Sequence, residues 1–435
     1  MLTARAHTET VEILQEVTDG IDLTDLQDEK TPEETCDLNG IRLPHINIHV
    51  FRETDAFSRI WEQASSDRRM VNVTTTMFED GFQGAIQKYT KEPTPNLLIV
   101  ETDSDEKILE FQIDSLAEVC VASTELIVVG HRNDIGLYQK LMAMGISNYM
   151  VYPITVSSII SAIHEVYRES EHGRVGRIHA VIGAKGGVGS SMLAQNLALE
   201  MAESNRTEVL LIDMDLCFGT ASLNLDVEAN QGLRELIDQA DNVDGAMLDR
   251  VLLKHGSYLN LLSAMPNLIN DRELDPEGVE QILTASSAHM SNIVLDLPHC
   301  WTPWMQTALT VSDSVMIVTT PEISSLRNAA TMMTQLKNMR PNDKPPMLVL
   351  NQCGMPGRQE ISERDIQSVL DLRTTTTIPF DAKSISRAAG SGKMLREIGR
   401  RRPLNRKIQT LASSLAQRSP TLAEATSRKR RFFGF

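Results

Sequence analysis

The chain has 435 residues, five cysteines and a formal net charge of −16. A chain of this length can form two domains, each with its own core. The negative charge argues against a protein that coats nucleic acid over its whole surface, although a local basic patch could still bind phosphate. The cysteines are scattered without a C-x-x-C pair, which predicts reduced thiols, as in a cytoplasmic protein, and not a disulfide framework.

The sequence indicates neither secretion nor membrane insertion. Glu9, Glu12 and Glu16 interrupt the opening residues, so we expect no signal peptide. No apolar run reaches the roughly 18 residues that a membrane helix needs, and the ten histidines show no metal-ligand spacing. We therefore expect a soluble, cytoplasmic protein.

Residues 1–44 are acidic and polar. Such a segment buries too little apolar surface to offset the entropy lost on ordering, so we expect a flexible arm. A role in binding a partner is the alternative for this segment.

Apolar runs and helical patterns alternate between residues 45 and 170. Strands are expected at Ile46–Phe51, Met70–Thr76, Asn96–Thr102, Glu125–His131 and Asn148–Pro153. Strands that alternate with helices predict a parallel α/β sheet.

This segment resembles the receiver domain of two-component signalling, both in its element order and in the run Gly145–Pro153. The resemblance implies a flavodoxin-like parallel sheet. Glu101 stands at the position of the phosphoacceptor aspartate, Gly130 at that of a hydroxyl residue and Tyr152 at that of a lysine. A glutamate cannot take phosphate in the same geometry, and without the lysine the phosphoryl charge lacks a counter-ion. We expect an atypical, unphosphorylated receiver-like domain over residues 45–170.

A polar stretch without apolar periodicity predicts a linker at 171–177. An apolar strand pattern then runs into the glycine-rich loop Gly183–Ser191, and a helical pattern follows at once. Glycines let the backbone N–H groups turn inward, and a helix N-terminus adds a positive dipole end, so polyphosphate can bind there. A tight turn between strand and helix is the alternative, but Lys185 and the pair Ser190–Ser191 favour a nucleotide site.

The position of the lysine identifies the kind of loop. The usual pattern, G-x-x-x-x-G-K-[ST], has a lysine where this chain has Ser190. The early Lys185, in the context KGGVGxS, resembles the deviant phosphate loop of the ParA/MinD superfamily. The resemblance implies ATP and Mg²⁺ as cofactors and a homodimer in which Lys185 reaches the nucleotide of the partner. The second lysine is missing, so we expect weak or absent hydrolysis.

The same resemblance assigns contacts within the loop. Ser191 matches the hydroxyl that ligates magnesium. The residues expected to bind nucleotide are Lys185, Gly186, Gly187, Val188, Gly189, Ser190 and Ser191.

Two later apolar strands run into carboxylates. The stretch Val209–Gly219 contains Asp213 and Asp215, and Asn292–His299 contains Asp296. Ligands bind at the carboxyl edge of parallel sheets, and carboxylates there can hold Mg²⁺ or polarise water. Solvated strand ends are the alternative. The resemblance implies Asp213 and Asp215 as catalytic candidates, with Asp213 and Asp296 near the metal.

Further matches follow in the order of the family. The resemblance places Asn351, near the end of the strand Met347–Cys353, at the adenine base. It identifies Ile378–Leu395, with Pro379 and Asp381, with the loop that closes over the base.

Together these motifs predict a ParA/MinD-like P-loop α/β domain over residues 178–418. The segment Asp215–Leu236 and the run IPFDAKS resemble the TadZ/CpaE pilus-assembly branch, which also joins a degenerate receiver domain to a ParA/MinD-like domain. This resemblance implies a cytoplasmic factor that organises the machinery for Flp (tight-adherence) type IV pili at the inner membrane or a pole.

Two other functions remain open. A ParA-like DNA-segregation ATPase would bind DNA non-specifically through the basic cluster Arg400–Lys407, although the acidic balance disfavours it. A phosphorylated response regulator is disfavoured by Glu101 and Tyr152. The basic and aromatic tail 419–435 either contacts anionic lipid or is solvated.

Overall fold

The computed structural model describes residues 41, 43–44, 46–121, 123–167, 176–228, 231–240, 243–265, 274–370, 374–399 and 402–416. Nearly all of the expected arm, most of the linker and the basic tail lie outside these ranges. The chain divides into two compact units between residues 175 and 176. No helix in the described ranges has the length and apolar character needed to cross a bilayer.

A five-stranded sheet forms the centre of the first unit. Its strands are β1 Ile46–Phe51, β2 Val73–Phe78, β3 Leu97–Glu101, β4 Glu125–Gly130 and β5 Asn148–Val151. All neighbours are parallel, in the order β2-β1-β3-β4-β5. This is the order of flavodoxin-like sheets, and it confirms the expected fold class.

Helices cover both faces of this sheet. They are α1 Asp55–Ser65, α2 Gly81–Tyr89, α3 Glu106–Ala117, α4 Ile135–Ala143 and α5 Val156–Tyr167. Every residue of β3 is buried, because a central parallel strand is covered on both sides. Phe57 and Trp61 of α1 belong to the core on one face, and Phe82 and Leu109 to the core on the other.

The second strand begins later than the sequence pattern predicts. Met70 ends a short 3₁₀ turn, Arg68–Met70, which Asp67 caps by accepting a hydrogen bond from the Arg69 N–H. The strand therefore starts at Val73 and not at Met70.

The second unit has an eight-stranded sheet. Its strands are β6 Arg177–Gly183, β7 Val209–Asp213, β8 Leu253–His255, β9 Leu259–Leu262, β10 Asn292–Leu297, β11 Ser314–Thr319, β12 Met347–Cys353 and β13 Thr374–Pro379. The order is β13-β12-β11-β6-β10-β7-β9-β8. Only the edge pair β8–β9 is antiparallel among the strands described.

Eleven helices are described in this unit. They are α6 Ser190–Asn205, α7 Ala221–Asn224, α8 Gly232–Asp238, α9 Gly245–Val251, α10 Pro276–His289, α11 Pro303–Val311, α12 Ile323–Met339, α13 Glu363–Leu370, α14 Ala382–Ala389, α15 Leu395–Gly399 and α16 Pro403–Ala416. Helix α6, which begins at the glycine loop, has a run of ten consecutive buried residues from Leu193 to Ala202. The start of this helix is therefore fixed by the core.

Strand order brings the motifs together. Strand β6, which leads into the glycine loop, lies between β11 and β10, and β10 lies next to β7. The register pairs Asp296 of β10 with Asp213 of β7.

Two details differ from expectation. Strand β7 ends at Asp213, so Asp215 lies in the segment that follows the strand. The segment Ile378–Leu395 contains the end of β13 and all of α14, and is not a single loop.

Candidate functional site

The glycine loop between β6 and α6 forms an open cradle that contains two left-handed glycines. Gly187 and Gly189 have φ values of +79° and +87°, which glycine adopts without steric strain. A Cβ atom on Gly186 or Gly187 would meet no atom within 4 Å. The space beside these residues is therefore open, and it lies just before the positive N-terminal end of α6.

Asp296, near the end of β10, is a buried carboxylate. It is 3% exposed, and its Oδ2 atom accepts a hydrogen bond of 3.2 Å from the Gln195 amide. Its buried Oδ1 atom has no hydrogen-bond partner in the described part of the chain. A buried polar atom without a partner costs free energy, so this oxygen marks a place for a ligand.

Asp213 lies beside it and is held by backbone donors. The Asp215 N–H donates to Oδ1 at 3.1 Å, and the Ala221 N–H donates to Oδ2 at 3.0 Å. Gly219 is required here, because a Cβ atom at that position would lie 2.7 Å from Asp213 Oδ2.

The two carboxylates repel each other in a buried environment. Burial raises the pKa of Asp296 to about 8, and the negative charge of Asp213 contributes to this shift. Burial raises the pKa of Asp213 to about 6, although backbone N–H groups favour its ionised form. A bound cation would relieve both effects.

The donor set fits Mg²⁺. Oxygen atoms are the ligands that Mg²⁺ prefers, and it is usually held by one or two carboxylates together with phosphate and water. Asp296 has an unpartnered oxygen, and the hydroxyl of Ser191 lies close enough to lower the pKa of Asp296. Ser191 and Asp296 would hold the ion, with Asp213 beside them, and the ion would neutralise phosphate charge. No cluster of three or more His, Cys, Asp or Glu ligands occurs among the described residues.

Lys185 is directed away from its own loop. Its side chain is 47% exposed, and its Nζ atom lies 3.4 Å from Ser324 Oγ and 3.8 Å from Glu322 Oε2. Both groups are at the start of α12. The ammonium group is thus accessible, and its expected contact with the nucleotide of a partner stays a prediction.

Asn351 lies against the glycine loop. Its Nδ2 atom donates to the Val188 carbonyl at 2.7 Å, and its Oδ1 atom accepts from the Gln352 N–H at 2.9 Å. The amide of the following residue, Gln352, donates to the Gly187 carbonyl at 3.0 Å. The sequence analysis missed Gln352, and the contact of Asn351 with adenine stays a prediction.

Three other expected site residues have structural partners. Asp215 accepts from the N–H groups of the turn that follows it, including Phe218 at 2.9 Å. Asp381 caps α14 by accepting from the Ser384 N–H at 2.9 Å, and hydrogen bonds from Ser384 lower the pKa of Asp381. Pro379 pairs with β12 at Cys353. Their contacts with nucleotide stay predictions.

The carboxyl edge of the sheet in the first unit is closed by hydrogen bonds to a buried glutamate. Glu101, at the end of β3, is 1% exposed. Its Oε2 atom accepts from the N–H groups of Glu53 and Thr54 at 2.7 and 2.8 Å. Its Oε1 atom accepts from the hydroxyls of Thr54 and Tyr152 at 2.6 and 2.8 Å. His131 stacks on the Tyr152 ring with centroids 4.3 Å apart.

Gly130 belongs to this closed arrangement. A Cβ atom there would lie 2.5 Å from the Tyr149 hydroxyl, so the hydroxyl side chain of a phosphorylatable receiver does not fit. Burial, together with the Glu101 carboxylate, holds the pKa of Tyr152 above its usual range. The sequence indicated the three substitutions but not this network, which joins residues up to 51 positions apart.

The fold and the site define the class: a flavodoxin-like domain followed by a P-loop α/β domain with a deviant phosphate loop. Residues 176–348 match the family model described as AAA domain. The septum site-determining protein MinD of Thermotoga maritima is 26% identical over 223 residues, which are 50% of this chain and 80% of that protein.

Two solved structures are similar to parts of this chain. A ParA family ATPase from Chlorobium tepidum has 24% identity and a TM-score of 0.51, and the match covers 56% of this chain and 99% of that one. The pilus assembly protein CpaE from Caulobacter crescentus has 38% identity and a TM-score of 0.28, covering 28% of this chain and 93% of that one. The second unit thus has a P-loop α/β fold similar to that of ParA/MinD proteins.

Proposed function

We propose that this chain is an ATP-binding factor that localises or assembles the machinery of Flp (tight-adherence) type IV pili, and that it acts as a nucleotide-dependent dimer. One observation carries the nucleotide part of this proposal. An open glycine cradle lies at the start of α6, and on the strand next to β6 is a buried Asp296 oxygen without a partner in the described residues.

ATP with Mg²⁺ would supply hydrogen-bond acceptors for the loop and a positive charge for the two aspartates. Its phosphates accept hydrogen bonds from the loop N–H groups and the N-terminus of α6, and its cation balances Asp213 and Asp296.

The ATP site is tested by measuring affinity in a titration with a fluorescent ATP analogue. Gly187→Val should abolish binding, because the valine side chain enters the open space and the φ of residue 187 is unfavourable for valine. Gly145→Val is the matched control, since its φ is also positive and its surroundings are also open. Equal affinity in both variants would contradict the site.

Dimerisation should depend on the nucleotide. Lys185 is half exposed, and its contacts with Ser324 and Glu322 lie outside its own cradle, so its ammonium group is accessible to nucleotide held by a second copy. Binding that favours the dimer shifts the equilibrium by mass action. Sedimentation of wild type and Lys185→Ala, each with and without ATP and Mg²⁺, tests this: only wild type with nucleotide should gain dimer. Dimers in all four conditions would show that assembly is constitutive.

The pilus role rests on the combination of units. A receiver-like unit with a closed phosphoacceptor edge precedes a ParA/MinD-type unit, in the order that the TadZ/CpaE resemblance implies. The expected partners are pilus-assembly or secretion proteins at the cytoplasmic face of the inner membrane or at a pole, and the 419–435 tail is a candidate lipid contact. In cells of the source organism, deletion should remove surface pili, and Gly187→Val should not restore them. Normal pili in the deletion strain would contradict this role.

DNA segregation is the competing function, and no specific nucleic acid partner is expected. In the basic cluster, Arg402 is 3.8 Å from Asp381 and also contacts the Ser384 hydroxyl. Part of the positive charge is therefore already compensated within the protein. Filter binding with random duplex DNA and ATP distinguishes the two functions, because tight, salt-sensitive retention is expected only of the DNA-binding function.

A further inference from the structure

Two carbonyl groups of the glycine loop are held by adjacent residues at the end of β12. The Asn351 amide donates to the Val188 carbonyl at 2.7 Å, and the Gln352 amide donates to the Gly187 carbonyl at 3.0 Å. Asn351 is buried within the sheet edge. Gln352 is different, because its backbone adopts an unusual conformation.

Gln352 has a φ of +58°, which lies in the left-handed region that residues other than glycine rarely adopt. The turn after it maintains this conformation. Arg358 donates to the Gln352 backbone carbonyl, lies 3.5 Å from the Gln352 side-chain oxygen, and pairs with Glu360 at 2.8 Å. Glu360 in turn accepts from the N–H groups of Gly354 and Met355. The orientation of the Gln352 side chain is therefore fixed by several contacts.

These contacts determine where the loop N–H groups point. In a trans peptide unit the carbonyl oxygen and the N–H of the next residue point in opposite directions. When Gln352 holds the Gly187 carbonyl towards β12, the Val188 N–H is directed to the other side. Gly187, which borders this peptide unit, would otherwise allow the unit to rotate and place the carbonyl oxygen in the cradle.

We propose that Gln352 is a positioning residue for the phosphates, because it fixes the glycine loop with its N–H groups available to an anion. This inference rests on the proposed ATP site. The effect is important in this chain, since Ser190 replaces the loop lysine and the backbone donors must provide more of the phosphate affinity.

The test is nucleotide affinity in full-length Gln352→Asn, measured with a fluorescent ATP analogue and Mg²⁺. Asparagine tolerates positive φ better than glutamine, but its shorter side chain does not reach the Gly187 carbonyl. Loss of one net hydrogen bond in the loop should weaken binding about two- to tenfold. Gln359→Asn is the matched control, because Gln359 is an exposed glutamine of the same turn.

The melting temperature of the nucleotide-free protein separates positioning from a general loss of stability. We expect Gln352→Asn to melt at or above the wild-type temperature while it binds ATP more weakly, and Gln352→Gly to behave in the same way. Affinity equal to that of Gln359→Asn, or weaker binding together with a lower melting temperature in both variants, would overturn the proposal. If wild type itself binds no nucleotide, the proposed function fails instead.

Discussion

Replacing Asp296 with asparagine should stabilise the nucleotide-free second unit and at the same time weaken its response to ATP and Mg²⁺. The reason is the raised pKa of this buried carboxyl, about 8, against 3.8 for an ordinary aspartate. Between these values the folded unit keeps a proton that the unfolded chain has lost, so stability is greatest below the lower value and declines as pH rises towards the upper one. Asparagine carries no such proton, and the variant should lack this decline.

The size of the effect follows from proton linkage. One proton of difference changes the free energy of unfolding by about 1.4 kcal/mol for each pH unit. Between pH 5 and pH 7 the wild type should therefore lose about 3 kcal/mol relative to Asp296→Asn. For a unit of this size that corresponds to roughly 6–12 °C in melting temperature.

The assay is thermal unfolding of the second unit in both proteins across this pH range, without metal or nucleotide. Comparing the two proteins removes contributions that they share. One of these is buried His179, whose pKa burial lowers to about 4, so that it acts in the opposite direction with pH. Asp244→Asn is the control: Asp244 caps α9 by accepting from the Met247 N–H at 2.7 Å, and asparagine caps equally well.

Addition of ATP and Mg²⁺ provides the second readout. It should raise the melting temperature of wild type and of Asp244→Asn by mass action, but have much less effect on Asp296→Asn, which has lost a metal ligand. A melting-temperature difference that does not change with pH, or a variant less stable than wild type at pH 7, would refute the reasoning about the carboxylate pair.

Three further outcomes are expected. Acetyl phosphate should leave the intact mass of the protein unchanged, because the Glu101 oxygens already accept four hydrogen bonds; an adduct in the first unit would contradict this. Tyr152→Phe should destabilise the first unit by about 1.5–3 kcal/mol, as measured by hydrogen exchange, because it removes a donor to a buried carboxylate, whereas Tyr167→Phe, which loses an exposed bond, should have less effect. ATP turnover should be slow, and Ser190→Lys should raise it about 10²–10³-fold by restoring a charge-stabilising donor; unchanged turnover would show that the serine does not limit the rate.

The fold class could be predicted because its signal is local. Buried parallel strands are continuous apolar runs, as in β3, and five strand-like segments separated by helical patterns predicted the first sheet. The edge strand β8 and its neighbour β9 were missed, since they have three and four residues and runs of that length show no clear periodicity.

The candidate site was only partly predictable. Asp213 and Asp296 could be placed together because both lie at the carboxyl ends of apolar strands, and the register pairs them directly. Gln195 and Gln352 were missed because their partners are 101 and 165 residues away. Nothing in the local pattern distinguishes these two glutamines from solvent-exposed ones, so only the packing of α6 and β12 reveals them.

The carboxyl edges of the two sheets differ in whether their buried acidic side chain is fully hydrogen-bonded. Buried polar groups in folded proteins are normally satisfied. Glu101 is satisfied entirely by its own unit, and an incoming phosphate would have to displace these donors and face a negative charge. Asp296 keeps an oxygen without a partner among the described residues, in the same unit as an open cradle. A small ligand is therefore expected to act on the second unit. The surface of the first unit includes Phe111 of α3 and Ile135 of α4, which are 72% and 76% exposed. Substitutions on that surface should leave nucleotide affinity intact, since the loop, its β12 contacts and both carboxylates all belong to the second unit.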